Sequence, residues 1–387
     1  MEYKVMEKYD IIVVGAGPAG LSFAEHIEDK SVLVIDRKKE LGVPIKSSAA
    51  TFADTLIDFE LKDAVCHSSR GFRVILDNGY IKEFLYEKPV LYTLDFTKMI
   101  RILKKRMQKN CDILHPASVE RISMDNGSIK SIETNENNFK ADLFIDASGE
   151  SRVLLKHLNS SYYRKQWLIH GLEYEVSKID LNSTYFDFFF GNNLIPEGYC
   201  WVFPTGNTSA RIGLGKLIPG RGGLRKIKLK DALQKFISSN VITAENFDNN
   251  NILEYHGGIM TYNKPLKNAY FKNCFVIGDA ASQSSCLLGE GIRHSLRSGR
   301  ELAIALNSFD LDFAKIYFQR YIDNNTKFFE YFPLFLQYFK IAPNWAILTL
   351  VKALSDYDNT NMLRLLRSEF KSSDFMKLLY TFPRNMI

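Results

Sequence analysis

The stretch Tyr9–Arg37, reading YDIIVVGAGPAGLSFAEHIEDKSVLVIDR, constrains the fold more than any other. The apolar run Ile11–Val14 predicts a short buried strand, and Gly15-x-Gly17-x-x-Gly20 follows it directly. A helical pattern then passes through Leu21, Ala24 and Ile27, a second strand covers Val32–Ile35, and Asp36 closes the unit. The glycines differ in mechanical role. Gly15 permits the tight turn, Gly17 lets backbone approach a pyrophosphate, and Gly20 lets helix and strand pack closely. The helix N-terminus offers free N–H groups and the positive dipole end to phosphates. Asp36 is placed to accept hydrogen bonds from an adenosine ribose. Strand, turn, helix, strand and acid in that order within about 30 residues predict a dinucleotide-binding βαβ unit.

With 387 residues, 46% of them hydrophobic, the chain can bury a core for two domains or one elaborated domain. A net charge of +6 and a pI near 8.8 permit contact with anionic lipid or phosphate. The basic residues are scattered and no nucleic-acid motif accompanies them, so no nucleic-acid partner is expected. Cys66, Cys111, Cys200, Cys274 and Cys286 are odd in number and form no CxxC pair. That pattern points to free thiols in a reducing compartment, with neither a zinc site nor a disulfide framework. The seven histidines show no metal spacing and are read as structural. Only Met1–Lys8 precede the first strand, which leaves no room for a signal peptide, and no charge-free apolar run reaches the ~18 residues of a membrane span. The expected location is the cytoplasm, with peripheral contact on the inner membrane face as the alternative.

After Asp36, RKKELGVPIKSSAA reads as a loop whose small Ser47 and Ser48 suit either close passage by a flat ring system or a plain surface turn. Alternating segments around Asp77-Asn78-Gly79, from Gly71 to Leu94, predict a β-hairpin that begins an inserted second domain. A helix over Phe96–Gln108 buries Met99, Ile100 and Leu103, and three later strands return to the first sheet, ending at Asp146-Ala147-Ser148-Gly149. Open α/β sheets place ligands at that carboxyl edge. Leu168–Leu217 reads as strands crowded with Tyr185, Phe186, Phe188, Phe189, Phe190, Tyr199, Trp201 and Phe203, a sheet core or an apolar ligand chamber. Near Cys274 an apolar strand leads to Asp279, and Gly289-Glu290-Gly291 opens a helix over Ile292–Leu306, as if a long bent cofactor were held at both ends. Arg221, Arg225, Lys226, Lys228, Lys230 and Lys235 suit a solvated helix face or an anionic headgroup site. The remainder is expected to be helical, with stripes at Phe328, Tyr331, Phe332, Phe335, Leu336, Phe339 and at Ile347, Leu348, Val351, Leu354 that cover the body or lie in a membrane interface.

The expected architecture is α/β: a discontinuous Rossmann-type domain over 1–70, 95–155 and 268–310, an inserted antiparallel β-sheet substrate domain over 71–94 and 156–267, and a helical region over 311–387.

Three landmarks in this order, VVGAGPAG (Val13–Gly20), ADLFIDASG (Ala141–Gly149) and VIGDAA with GEGI (Val276–Ala281, Gly289–Ile292), resemble the flavoprotein monooxygenase-like superfamily. Within it, Pro196-x-Gly198-Tyr199-x-Trp201-x-Phe203-Pro204 is similar to the YxWxFP signature of the geranylgeranyl reductase family, which reduces isoprenoid double bonds in archaeal lipids and chlorophyll phytyl chains. The resemblance spans residues 9 to about 310 and continues more faintly beyond. It implies FAD as cofactor: Gly15, Ala16, Gly17 and Gly20 at the pyrophosphate, Asp36 and Arg37 at the ribose, and Val119 on the adenine side. Gly278 and Asp279 would meet the ribityl chain, Ser47, Ser48, Gly289, Gly291 and Ile292 the flavin. Tyr199, Trp201, Phe203, Phe188 and Phe190 would then roof a tunnel for a prenyl lipid or prenyl diphosphate. Three departures stand out: Ser47 where relatives commonly carry cysteine, Cys286 for a proline before GEGI, and Phe96 for an arginine.

An isolated trisubstituted alkene is electron-rich, so a hydride from reduced flavin must be matched by a proton on the adjacent carbon. Tyr199, Ser47 and Cys286 are the candidate acids, and the aromatic faces can stabilise developing positive charge. No second GxGxxG is present for a nicotinamide, which leaves NAD(P)H or ferredoxin as electron donor. The competing readings are a flavin hydroxylase or reduced-flavin cyclase acting on an aromatic or polyprenyl compound, and an FAD-containing prenyl-lipid binding protein without turnover.

Overall fold

The computed structural model describes residues 6–159, 162, 167–219, 228–239, 244–262, 265–285, 288–326, 329, 343–355 and 357–369. The predicted βαβ unit forms as strand Met6–Val14, helix Pro18–His26 and strand Val32–Ile35. Its apolar runs are buried, as expected of strands covered on both faces. The eight-stranded sheet has a parallel core in the order Cys274–Val276, Asn138–Asp146, Met6–Val14, Val32–Ile35, Cys111–Leu114. Val119–Asp125 and Ser128–Thr134 join it as antiparallel additions, and Tyr270–Phe271 closes one edge.

Two helices cover one face by approaching each other at backbone distance. A Cβ on Gly299, in the helix Ile292–Ser308, would stand 2.2 Å from the carbonyl oxygen of Ala19, and one on Gly20 would stand 2.0 Å from that of Gly15. Side chains at either position would force the first turn and the late helix apart. Asp146 ends the strand Asn138–Asp146 at the carboxyl edge, and Ala147, Ser148 and Gly149 of its turn line a cavity there, as the sequence reading expects. Its buried carboxylate accepts from the N–H groups of Leu154 and Leu155 at 2.9 and 2.8 Å and from Ser148 Oγ, so it organises the turn from behind.

The seven-stranded sheet runs Ile252–Tyr262, Trp167–Ser177, Ser209–Pro219, Gly198–Pro204, Tyr185–Phe190, Gly71–Leu76, Ile81–Leu85. It is antiparallel except where Tyr185–Phe190 pairs with Gly71–Leu76, a junction stapled by Arg73 Nε and Nη2 donating to Asp187 at 2.7 and 2.8 Å. The Asp77-Asn78-Gly79 hairpin is present with Gly79 at φ +85°. Its expected continuation to Leu94 is not: Leu91–Leu94 pairs with Ala50–Phe52 and Val65–Ser69 in a separate three-stranded sheet. The hairpin ladder ends with Leu85 opposite Gly71, and Pro89, which has no N–H to donate, follows in the connection to Leu91.

One face of the seven-stranded sheet packs on helix Leu229–Ile237, through Leu229, Leu233, Phe236 and Ile237. The other is closed partly by the helices Asn344–Ser355 and Asn359–Leu366, whose Leu350, Met362, Leu365 and Leu366 join Phe52, Phe72, Phe188, Trp201 and Phe203 in one apolar cluster. The stripe residues Phe328, Tyr331, Phe332, Phe335, Leu336 and Phe339 and the basic residues Arg221, Arg225 and Lys226 lie outside the described residues, as do the side chains of Leu348 and Val351. Cys66, Cys111, Cys200 and Cys274 are free thiols. No helix among the described residues is long and apolar enough to cross a membrane.

Gly299→Ala tests the helix contact. The added methyl meets backbone on Ala19 and Phe23, which cannot swing aside, so the expected cost of about 1–3 kcal/mol outweighs the ~1 kcal/mol gain in helix propensity. A lowered denaturant midpoint with unchanged slope is the expected result.

Candidate active site

The carboxyl edge of the parallel sheet and the open face of the seven-stranded sheet enclose one continuous cavity of about 640 Å³. Gly15, Ala16, Gly17, Asp36, Arg37 and Val119 line it from the first βαβ unit and its surroundings. Ser47, Ser48, Asp279, Gly289, Gly291 and Ile292 line it from the loops, and Phe188, Tyr199, Trp201 and Phe203 from the sheet. Gly20 and Gly278 are not on the wall; they shape it from behind. Gly278 adopts φ +61° with a Cβ position 2.9 Å from that of Ala19, and its N–H donates to Gln283 Oε1 at 2.7 Å. Phe190 also stands back, its ring 5.7 Å from that of Tyr199. Cys286 lies outside the described residues.

Local geometry around the first turn suits a phosphate-bearing ligand. Gly15 sits at φ +114°, and a Cβ there would be 2.4 Å from the Ala147 carbonyl oxygen, so only glycine fits. Gly17 instead faces open space, with nothing within 4 Å of its Cβ position, and it caps helix Pro18–His26 without a side-chain bond to the free N–H groups. Asp36 accepts from the N–H of Ala16 and of Lys38, both at 2.8 Å, one on each oxygen. This fixes the carboxylate on the wall with lone pairs to spare. Across the cavity, burial pushes the Asp279 carboxyl up against the opposing pull of Ser284 and Arg152. Its buried Oδ1 has no hydrogen-bond partner among the described residues. The N-terminus of helix Ile292–Ser308 opens nearby, with Gly291 as an uncapped N-cap whose Cβ position is 3.2 Å from Asp279 Oδ1.

The sheet face has a grain that the one-dimensional pattern did not reveal. Directly opposed residues across five strands run His256, Glu173, Gly213, Trp201, Phe188. The neighbouring row begins Gly258, Gly171, Gly215, Tyr199. Trp201 lies over the glycines: a Cβ on Gly213 would be 2.6 Å from its ring, and one on Gly215 3.5 Å. The tilted indole reaches Glu173, donating from Nε1 to Oε2 at 2.9 Å, and the other carboxylate oxygen meets His256 Nδ1 at 2.8 Å. Polar groups thus occupy one half of the face and aromatics the other, with Trp201 at the join.

Both readings of the aromatic run are therefore partly right, because alternation splits it. Phe189 points to the opposite face and packs on Phe236 at 4.9 Å, whereas Phe188, Tyr199, Trp201 and Phe203 line the cavity. Tyr199 donates its hydroxyl to the carbonyl oxygen of Leu288 at 2.6 Å, and burial raises its pKa. Ser47 Oγ accepts from the N–H of Ala49 at 3.0 Å. His294 is buried against Phe329 and Glu290 with its pKa pushed well down by burial, in keeping with a structural role. His256 and Glu173, both on the cavity wall, were missed among the sequence candidates. The available signal was weak: a lone Glu and a lone His on separate strands become partners only through the register.

Comparison with known proteins agrees with this geometry. Residues 10–157 match the FAD dependent oxidoreductase family and residues 168–260 the geranylgeranyl reductase catalytic domain. The digeranylgeranylglycerophospholipid reductase of Methanoculleus marisnigri is 26% identical over 76% of this chain and 75% of its own length. Its counterpart from Methanocaldococcus jannaschii is 26% identical over 86% of each chain. In fold, the chain resembles a geranylgeranyl bacteriochlorophyll reductase-like protein from Thermoplasma acidophilum, with a TM-score of 0.82 at 20% identity over 98% of both chains. More distantly it resembles pqsL, a probable FAD-dependent monooxygenase from Pseudomonas aeruginosa, with a TM-score of 0.64 at 14% identity over 87% of this chain and 97% of that one. A dinucleotide turn, a facing acidic turn and an aromatic sheet around one cavity are the parts expected of an FAD-dependent oxidoreductase, and in sequence the chain is similar to the geranylgeranyl reductases.

Proposed function

We propose that the protein reduces isolated carbon–carbon double bonds in the prenyl chains of a geranylgeranyl lipid or prenyl diphosphate. One observation carries the reading: the dinucleotide turn and the aromatic sheet face line the same cavity, so a flat redox ring and an apolar chain can meet without crossing bulk water. The names of the relatives support the substrate class.

The open side of Gly17 with the free N–H groups of its helix would hold the pyrophosphate, Asp36 with Arg37 the ribose, and Val119 the adenine side. Asp279, through the unpartnered Oδ1, would receive a polyol hydroxyl, and Gly291 and Ile292 would present N–H groups to the pyrimidine edge of the flavin. Bound FAD supplies a hydride when reduced. The chain's own residues do the rest. Phe188, Trp201 and Phe203 exclude water and align the prenyl chain, and the indole face stabilises positive charge on carbon. Of the acids that the sequence suggests, Tyr199 is poorly placed to give up its proton, which is spent on Leu288, and its acidity is lowered by burial. An external donor, NAD(P)H or ferredoxin, would reduce the cofactor. Exposed Phe309, Phe313 and Ile316 at the start of helix Leu311–Thr326 support peripheral contact with a bilayer that holds the substrate.

Anaerobic mixing of the reduced holoenzyme with geranylgeranyl lipid is the deciding experiment. Flavin reoxidation together with a gain of two hydrogens per reduced bond is expected. Inert binding would instead mean a carrier or, where a parallel aerobic assay shows NAD(P)H-linked O₂ consumption with oxygen insertion, a hydroxylase.

Two substitutions separate the halves of the cavity. Trp201→Ala should lower prenyl turnover by at least about 10²-fold while FAD occupancy, read from flavin absorbance, stays near one per chain; equal loss of both would remove Trp201 from the substrate wall. Gly17→Ala adds a methyl that meets nothing in the protein. Its apo melting temperature should be unchanged while FAD affinity falls about tenfold or more, the ~1.4 kcal/mol or greater cost of crowding a close ligand contact.

A further inference from the structure

We infer that the hydrogen-bonded pair Glu173–His256 is the proton source for alkene reduction, with His256 holding the proton and Glu173 orienting the ring and passing the proton toward the cavity. The inference rests on the prenyl-reduction reading above and supplies its missing acid.

Both residues are on the cavity wall, yet their side chains are only 3% and 1% exposed, so they occupy a site from which bulk water is nearly absent. The register sets Glu173 directly opposite His256, and the bond between Nδ1 and Oε1 is 2.8 Å. The second oxygen of Glu173 is held by Trp201, which places the pair against the indole lining the substrate wall. Other acids of the wall are committed elsewhere. Tyr199 donates to Leu288, and Glu290 accepts from the N–H of Arg293 at 3.0 Å and pairs with its guanidinium. Asp279 faces the proposed cofactor polyol.

The groups around the imidazole favour its charged form. Glu173 comes from the adjacent strand, with Glu175 from the same strand 4.0 Å from Nε2. Glu254, on the ring's own strand, is 3.2 Å from Nε2, and its side chain is 53% exposed, which opens the pair to solvent. Arg211, from the strand beyond, is the opposing cation, and it is turned to Glu175 at 3.1 Å and to the Ser48 and Leu94 carbonyls. Burial alone would lower the pKa of His256; the hydrogen bond and charge of Glu173 and the nearby Glu254 carboxylate outweigh burial and Arg211, and the net shift is upward. Cationic His256 is thus held by folding below its raised pKa, and that hold is lost as pH rises through it.

The step balances as follows. The alkene takes a hydride from the reduced flavin at one carbon and a proton at the other. The Nδ1 proton of His256 passes through Glu173 Oε1 to the second carbon, forming the C–H bond and leaving a neutral imidazole. The flavin ends oxidised by two electrons, and water restores the proton to the pair.

Isotope-labelled histidine in the FAD-loaded protein reads the first consequence without turnover: the His256 resonance should titrate above the ordinary imidazole pKa of about 6.5, and Glu173→Gln should move its midpoint down. In single-turnover reoxidation with geranylgeranyl lipid, the wild-type rate should fall about tenfold per pH unit above that same midpoint, and Glu173→Gln, which removes the carboxylate relay, should slow the step by about 10²- to 10⁴-fold, with any residual limb following the lowered resonance. His256→Gln should slow the step by about 10²- to 10⁴-fold and erase the limb while FAD absorbance and lipid binding persist. Wild-type rate and an unchanged limb in His256→Gln, or a resonance that does not follow the limb, would overturn the pair as proton source. If wild-type reduced protein fails to reduce the lipid at every pH while the resonance titrates as described, the prenyl reading itself has failed. If His256→Gln does not fold, the wild-type and Glu173→Gln profiles against the resonance still decide.

Discussion

The cavity exists because backbone meets backbone where a side chain would ordinarily intervene. At the first turn, Gly15 abuts Ala147, Gly20 abuts Gly15, and Gly299 brings the late helix onto Ala19, each at a distance that no Cβ allows. Three parallel strand ends and two helix N-termini therefore converge in one place. Uncapped N–H groups and aligned peptide dipoles at Gly17 and Gly291 then face the same space, and they favour anionic groups there. The sheet supplies the position and the helices supply the charge preference, so phosphates at one turn and an electron-rich flavin edge at the other, as proposed, would need little help from side chains.

Glycine does a second kind of work in the seven-stranded sheet. Gly213, Gly215 and Gly171 leave a hollow that the Trp201 ring fills, and so a large indole lies along the sheet where it would otherwise stand upright and close the cavity. The wall that results is apolar on one side of Trp201 and acidic on the other. On the proposed reading, a prenyl chain entering it would replace water against aromatic surface, worth roughly 0.8 kcal/mol per buried CH₂. Affinity would then grow with chain length, and the Glu173–His256 pair would lie beside the chain with little exposure to solvent.

Much of this was legible in the sequence, for identifiable reasons. The βαβ unit announces itself because its glycines, apolar runs and acid are local, and the acidic turn at Asp279 and the Gly289–Gly291 bracket are local too. Alternation in Tyr185–Phe190 identified a sheet but could not say which face Phe188 or Phe189 would take, since that depends on a helix more than forty residues away. Leu91–Leu94 reads as one more hairpin strand and pairs elsewhere, because pairing is chosen by the partner edges available after folding. The Glu173–His256 pair was invisible for the same reason. His256 has the composition of any core histidine, and only the antiparallel register of two strands some eighty residues apart gives it a carboxylate.

A charge cluster ties the carboxyl-terminal helices to this site. Arg293, with 1% of its side chain exposed, donates to the Arg367 carbonyl oxygen at 2.6 Å and to Glu369 at 3.0 Å, pairs with Glu290 and Asp54, and lies over the Phe52 ring at 5.3 Å. A buried guanidinium is stable only if its donors are satisfied, because an isolated charge there would carry a desolvation cost of several kcal/mol. Here acceptors come from three places: the wall residue Glu290, Asp54 next to the small sheet, and the segment after helix Asn359–Leu366. None of the three can move away without leaving Arg293 short of partners. The apolar cluster beneath contains Phe188, Trp201 and Leu365 together, so the same segment that satisfies the guanidinium also covers the aromatic wall. Closure of the aromatic wall and completion of the charge cluster are thus coupled in packing, and the late helices belong to the cavity's architecture although none of their described side chains lines it.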